Sequence, residues 1–145
     1  MITKPSRGGL PGREAVSAVR SAVAHLNRGD IEGYLRHFAP DCPRWIPGGA
    51  EPLSLADVGD NLRQLHAGLD DLSLHEDLLF GDDAHACAQW RLTGRHVREC
   101  YGLAPTGRSL DVPTCEVYEV AGGVVTASWV YGDPADLFAQ MGAAR

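Results

Sequence analysis

The sequence predicts an α+β domain, with helices in its first half and an antiparallel sheet in its second. Three observations predict it. Apolar residues recur at helical spacing as far as Leu65, and the pattern changes to strand-like runs after Gly68. A glycine pair, Gly122-Gly123, separates two long strand-like runs as a hairpin turn does. The length of 145 residues suits one domain with one core.

Residues 1–12 hold Pro5, Pro11 and several glycines, and read as a frayed lead-in to a single domain over 13–145. From Arg13 to Asn27, Val16, Val19, Ala22, Val23 and Leu26 form one apolar helical face. Arg28-Gly29 ends that helix, and Asp30 caps a second one that carries Ile31, Tyr34, Leu35 and Phe38 and stops at Pro40. Cys42 to Ile46 is short and extended, closed by Pro47-Gly48-Gly49. Ser54 with Asp57 resembles a capping box and opens a third helix that ends near Gly68. Leu72 to Phe80 suggests a strand, Gly81-Asp82-Asp83 a turn, and Ala84 to Thr93 a second strand. Arg108 to Val120 is a third, with Pro113 predicting an edge or a bulge. Val124 to Tyr131 is the fourth long strand. Asp133-Pro134 then starts a short final helix, the aspartate as cap and the proline at the first helical position.

Composition narrows the function classes. Apolar residues make up 44% of the chain and charged residues 22%, which excludes a disordered polymer. A net charge of −6 disfavours nucleic acid and anionic membrane surfaces as partners. No apolar run is long enough to span a bilayer, and the charges at the N-terminus have no apolar stretch behind them, so neither a membrane segment nor a secretory leader is expected. Cys42, Cys87, Cys100 and Cys115 form no C-x-x-C pair, and reduced thiols in a cytoplasmic protein are the expectation.

Known chemical signatures are few. Residues 102–107 lack the lysine and hydroxyl of a phosphate cradle, and no serine sits in a G-x-S-x-G elbow. No metal site is expected: the six histidines show no H-E-x-x-H spacing, and neighbours in His75-Glu76-Asp77 would point to opposite strand faces as a surface charge patch. A curved sheet with helices against it then suggests an apolar pocket for a small molecule.

Several residues are candidates to line that pocket, each with a plain structural alternative. Regular alternation puts Trp129, Tyr131 and Asp133 on one strand face. Asp133 either caps the last helix, which occupies its oxygens, or faces inward beside Trp129 and Tyr131 as a proton-transfer group. Glu116 and Tyr118 share a face with Thr114, and a mid-strand carboxylate must be paired, solvated or neutral. Gln89 and Arg91 share a face of another strand, where they either orient a ligand or meet solvent. Tyr34 is expected in the core with its hydroxyl at the pocket, the tryptophans in packing, and Cys87 and Cys115 as small buried apolar groups.

An ordered set of motifs carries a family resemblance. It comprises Thr93-Gly94-Arg95-His96, the run from Gly102 to Arg108, Glu116-Val117-Tyr118 and the Gly-Gly hairpin, then Ser128-Trp129, Asp133 and the run from Leu137 to Gly142. Upstream, Asn27-Arg28-Gly29-Asp30 and Phe38-Ala39-Pro40-Asp41 match the usual helix pair. From about Ala15 to Gly142 the chain resembles the SnoaL-like polyketide cyclases within the nuclear transport factor 2-like (cystatin-like) superfamily. The resemblance implies a cone-shaped α+β barrel, a curved and mostly antiparallel sheet wrapped around helices. It also implies a cofactor-independent enzyme that closes a ring on a natural-product intermediate by intramolecular aldol chemistry, and a homodimer paired through the sheet. By the family pattern, Asp133, four residues after Trp129, is the general acid/base, and His96 is the donor to a substrate oxygen. Arg95, Val97 and Arg98 depart from the family's preference around that histidine. Ketosteroid isomerases align differently: their oxyanion tyrosine falls on Ala22 and their base on Ile46, so isomerase chemistry of that design is not expected, while their second acid falls on Glu116. Family members also hydroxylate or only bind, so a hydroxylase, or a non-catalytic carrier of the same polyketide-like ligand, stands as the alternative.

Overall fold

A computed structural model describes residues 12–143. The expected lead-in over residues 1–12 lies outside the described residues except for Gly12. Four helices and five strands follow in the order α1 (Glu14–Asn27), α2 (Ile31–Leu35), β1 (Arg44–Trp45), α3 (Leu55–Gly68), β2 (Leu69–Gly81), β3 (His85–His96), β4 (Ser109–Ala121), β5 (Val124–Tyr131) and α4 (Pro134–Gln140). The strands form one sheet in the order β1-β5-β4-β3-β2, with β1 parallel to β5 and every other pair antiparallel. This is the α+β architecture the residue pattern predicts.

Local chemistry explains the element ends. Asp30 accepts the Gly33 N–H at 2.8 Å and caps α2. Ser54 and Asp57 satisfy each other's backbone N–H groups in a reciprocal capping box. α2 is shorter than expected. It stops at Leu35, and a turn over Arg36 and His37 leads to Phe38, which bridges Val125 of β5. The Ala39 N–H and the His37 carbonyl bond to Val125, so the sheet competes for backbone groups that a longer helix would have used.

One apolar cluster fills the space between α1, α2, α3 and the sheet, with Val19, Trp90, Tyr118 and Val125 at its centre. A second, around Leu69, Leu110 and Met141, closes the other end under α4. α1 is pinned to β2 by Asn27, whose side-chain amide donates to the Leu74 carbonyl at 3.0 Å and accepts the Leu74 N–H at 2.8 Å. Pro113 lies in β4 beyond Cys115, where pairing with β5 ends, so that stretch of β4 is a local edge and the missing N–H is tolerated.

One irregularity decides which side chains enter the cone. Pairing between β4 and β5 shifts between Glu119 and Val120, leaving Thr126 as an extra residue in β5. Val125 faces inward on one side of this bulge, and Ser128 and Val130 face inward on the other, opposite Tyr118 and Glu116. Trp129 and Tyr131 therefore lie on the outer face, opposite Val117 and Cys115.

Candidate functional site

The inner face of the sheet lines a cavity of about 190 Å³ at the α4 end of the cone. Its walls are mostly apolar: Leu92 from β3, Val112 from β4, Val130 from β5, Leu65 from α3 and Leu137 from α4. Ile46, just past β1, completes them, so an aliphatic group stands where the isomerases would place their base. Two polar side chains belong to the lining, Thr114 of β4 and Asp133 at the start of α4. Asp133 is exposed at the rim, and its Oδ1 accepts the Ala135 N–H at 3.0 Å as the α4 cap. The cap uses one carboxylate oxygen, and the same side chain borders the cavity. Of the two positions the sequence posed, the structure shows the cap; the carboxylate is exposed at the cavity's edge rather than turned inward beside Trp129 and Tyr131.

Beneath the apolar walls lies a buried polar network. Arg44 Nη2 is 3.2 Å from Glu116 Oε1 and donates to Tyr34 Oη at 2.9 Å. Tyr118 Oη donates to Glu116 Oε2 at 2.5 Å, and Trp90 Nε1 donates to Tyr118 Oη at 3.0 Å. The Arg44 guanidinium also lies 5.9 Å from the centre of the Phe38 ring. Burial alone would lower the Arg44 pKa, but the adjacent Glu116 carboxylate and Tyr34 outweigh it, so the guanidinium is held charged. Burial raises the pKa values of Tyr34 and Tyr118, which keeps both as neutral hydroxyls. Glu116, Tyr118 and Tyr34, expected to line the pocket, form one buried cluster instead, and none of the three is in the cavity lining. Arg44 was not singled out by its sequence context, a two-residue strand between Pro43 and Pro47.

The structure separates the remaining candidates from this site. Trp129 and Tyr131 were expected to face the cavity beside Asp133, and the bulge at Thr126 turns them outward instead. Gln89 pairs with Cys115 on the same outer face, and with Tyr131 it borders a separate depression of about 330 Å³ there. His96 was expected as a donor at the pocket. It is 0% exposed, its Nδ1 is 3.0 Å from Thr106 Oγ1, and its backbone bonds to Gly107 and Arg108, so the loop before β4 encloses it away from the cavity lining. The patch at His75-Glu76-Asp77 is tied up in surface contacts, Glu76 with Arg20 at 2.9 Å and Asp77 with Arg91 at 3.0 Å. Among the described residues, no three metal-ligating side chains gather.

A larger groove of about 790 Å³ runs between α2 and α3, bordered by Leu35, Phe38 and Arg63. It lies outside the sheet's inner face and holds none of the expected site residues. Arg63 spans its rim by pairing with Glu32 and Asp60.

A cone of curved sheet around an apolar cavity, with a carboxylate at the rim, defines an α+β protein of the ketosteroid isomerase-like fold. The family model described as SnoaL-like polyketide cyclase matches residues 16–141, and the chain belongs to that family. Solved structures agree on the fold. AclR from Streptomyces galilaeus, which carries the name of a hydroxylase, superimposes with a TM-score of 0.79 at 22% identity, covering 90% of this chain and 96% of its own. IdmH from Streptomyces antibioticus, which carries the name of a polyketide cyclase, gives 0.75 at 20% identity, covering 88% and 98%. A protein from Catenulispora acidiphila with a ketosteroid isomerase-like fold, solved with trimethylamine, gives 0.69 at 16% identity, covering 90% and 95%. None of the curated proteins matches the sequence.

Proposed function

We propose that this protein is a cofactor-independent cyclase that closes a ring on a polyketide-like intermediate of natural-product synthesis, with Asp133 as its acid/base group. The observation that carries this reading is the Asp133 carboxylate on the rim of an apolar inner-face cavity in a SnoaL-like chain. Asp133 removes a proton from a carbon next to a carbonyl, and the electron pair of that bond passes into an enolate. The enolate carbon bonds to a second carbonyl carbon of the same molecule, and the resulting alkoxide takes the proton back from Asp133. Atoms and charge balance with no redox partner.

The apolar walls hold the two carbons together and exclude water, which supplies much of the rate in an intramolecular reaction. A cavity of about 150 Å³ takes benzene. One of about 190 Å³ therefore engulfs roughly one ring, with the rest of the substrate at the mouth. Thr114, the other polar side chain of the lining, is placed to orient an oxygen. In this reading His96 orders the loop through Thr106 and does not touch substrate.

The same proposal includes a cytoplasmic homodimer paired through the outer face. Exposed Leu78, Phe80 and Tyr131 support the interface, and four free cysteines support a reducing compartment.

A second reading, a ligand carrier without chemistry, is favoured by one observation: Asp133 commits an oxygen to the α4 cap. The two readings are separated by incubating the protein with aromatic poly-β-ketone esters and identifying products by mass spectrometry. The cyclase reading predicts ring closure that falls by at least about a hundredfold in Asp133→Asn, checked for folding by circular dichroism. Ligand returned unchanged by the wild type supports the carrier.

A further inference from the structure

Two cysteines lie side by side on the outer face of the sheet. Cys87 of β3 and Cys115 of β4 are free, half-buried thiols whose Sγ atoms are 3.8 Å apart. Both were expected as small buried apolar groups. The inner positions of these stretches belong instead to Ala86, Ala88, Glu116 and Tyr118, so alternation turns the two thiols away from the core. Cys42 and Cys100 are the buried ones. The register makes the outer pair diagonal, with Cys87 opposite Val117 and Cys115 opposite Gln89. Diagonal neighbours in an antiparallel ladder have Cα atoms roughly 7–8 Å apart, whereas a disulfide spans at most about 6.8 Å. The sulfurs already touch, and a bond of about 2.05 Å forms between them only if β3 and β4 are drawn together locally. Strain of that kind makes a disulfide easy to reduce. A bridge here is therefore reversible rather than structural, as suits a reducing compartment.

We propose that Cys87 and Cys115 are an oxidation site, closed by a hydroperoxide to a labile disulfide and reopened by a small thiol. One thiolate attacks a peroxide oxygen, the O–O bond breaks, and a sulfenic acid forms as water leaves with the thiol's proton. The second thiolate attacks that sulfur, the S–S bond forms, the S–O bond breaks, and a second water leaves. The two thiols give up two electrons and two protons, and hydrogen peroxide takes both. Two glutathione thiols reverse the step by exchange and leave as glutathione disulfide. Closure reaches the cavity through the backbone. Cys115 is the last β4 residue paired with β5, opposite Tyr131. Its neighbour Thr114 lines the cavity, as do Gly132 and Asp133, which follow Tyr131. Gly132 packs so closely on Thr114 that a Cβ there would stand 3.1 Å from Thr114 Oγ1. Drawing Cys115 towards β3 therefore shifts the cavity wall that these three residues share.

The test treats the reduced whole protein with hydrogen peroxide, then unfolds it, blocks remaining thiols with iodoacetamide and maps the peptides by mass spectrometry. Pairing of two copies through this face would shield the sulfurs, so the protein is kept dilute. Cys87 and Cys115 are expected to be lost to alkylation as one bridge within the chain, while Cys42 and Cys100 remain alkylated. Excess glutathione is expected to restore both thiols. In two-dimensional NMR the amide signals of Thr114, Gly132 and Asp133 are expected to move on oxidation and return on reduction. Cys87→Ser and Cys115→Ser, each folded by circular dichroism, are expected to stop at a sulfenic acid that dimedone traps. Four intact thiols after peroxide, a bridge only between chains, or equally fast oxidation of Cys42 or Cys100 overturns the site. A bridge that resists glutathione overturns its lability. Unmoved signals at Thr114, Gly132 and Asp133 overturn the link to the cavity.

Discussion

Arg44 and Glu116 form a buried ion pair whose energetics follow from desolvation. Taking two charges out of water costs more than their attraction returns unless other hydrogen bonds hold them, and here Tyr34 and Tyr118 do so. Removing one charge strands the other. Glu116→Ala is expected to destabilise the protein by about 3–5 kcal/mol, whereas the double substitution Arg44→Met with Glu116→Leu is expected to be near neutral or stabilising. Urea unfolding of the two variants checks this, and a double variant as unstable as the single one contradicts it. At this scale the sequence was only half legible. Glu116 stood out because a carboxylate in mid-strand needs a partner. Arg44 did not, because its partner lies far along the chain and the strand that carries it has only two residues. His96 matched a family motif, yet its ring is buried away from the cavity lining, with Nδ1 on Thr106 and Nε2 without a partner.

The β5 strand shows how one extra residue rewrites a face. Unbroken alternation from Val125 would carry Trp129 and Tyr131 inward. The bulge at Thr126, whose hydroxyl donates to Glu119 Oε1 at 2.7 Å, sends Ser128 and Val130 inward instead. Nothing in the local residue pattern marks a bulge, since Thr126 is an ordinary strand former. Other elements were legible because their signals are local. The Ser54–Asp57 box, the Asp30 cap and the Asp133-Pro134 start all depend on residues within a few positions of each other. Deleting Thr126 alone removes the extra residue and leaves Val125, Ser128 and Val130 inward in plain alternation, with Trp129 and Tyr131 still outside. Deleting Thr126 together with Ala127 shifts the strand by one further residue and drives Trp129 and Tyr131 into a filled interior, and we expect it to cost about 3 kcal/mol more than the single deletion by thermal unfolding. A double deletion as stable as the single one would contradict the role given to the bulge.

For the molecule as a whole, one face holds the cavity and the opposite face is unusually apolar. Tyr131 is 51% exposed and Phe80 55%, on the outer side of the same sheet. If this face pairs two copies, Phe80→Glu with Tyr131→Glu converts a dimer to a folded monomer in sedimentation velocity, and a wild-type monomer contradicts the pairing. Acid should loosen the fold in order of pKa. Burial lowers the pKa values of His37 and His66, with His25 and Arg36 adding to the effect on His37, so the folded state resists a proton that the unfolded chain accepts. That stability is present above the ordinary histidine range and is lost as pH falls from about 6.5 towards the lowered folded values. The cap carboxylates Asp30, Asp57 and Asp82, lowered by backbone N–H bonds, act later, in and below the ordinary carboxylate range. The urea midpoint should therefore already decline between pH 7 and 5, and His66→Gln should flatten that decline. The catalytic claim is tested most directly by deuterium incorporation at the methyl group of acetophenone, a one-ring ketone of cavity size, followed by proton NMR. The account predicts exchange above the buffer rate with wild type, reduced by about a hundredfold in folded Asp133→Asn. Equal exchange by the two proteins, or none above buffer, would contradict it.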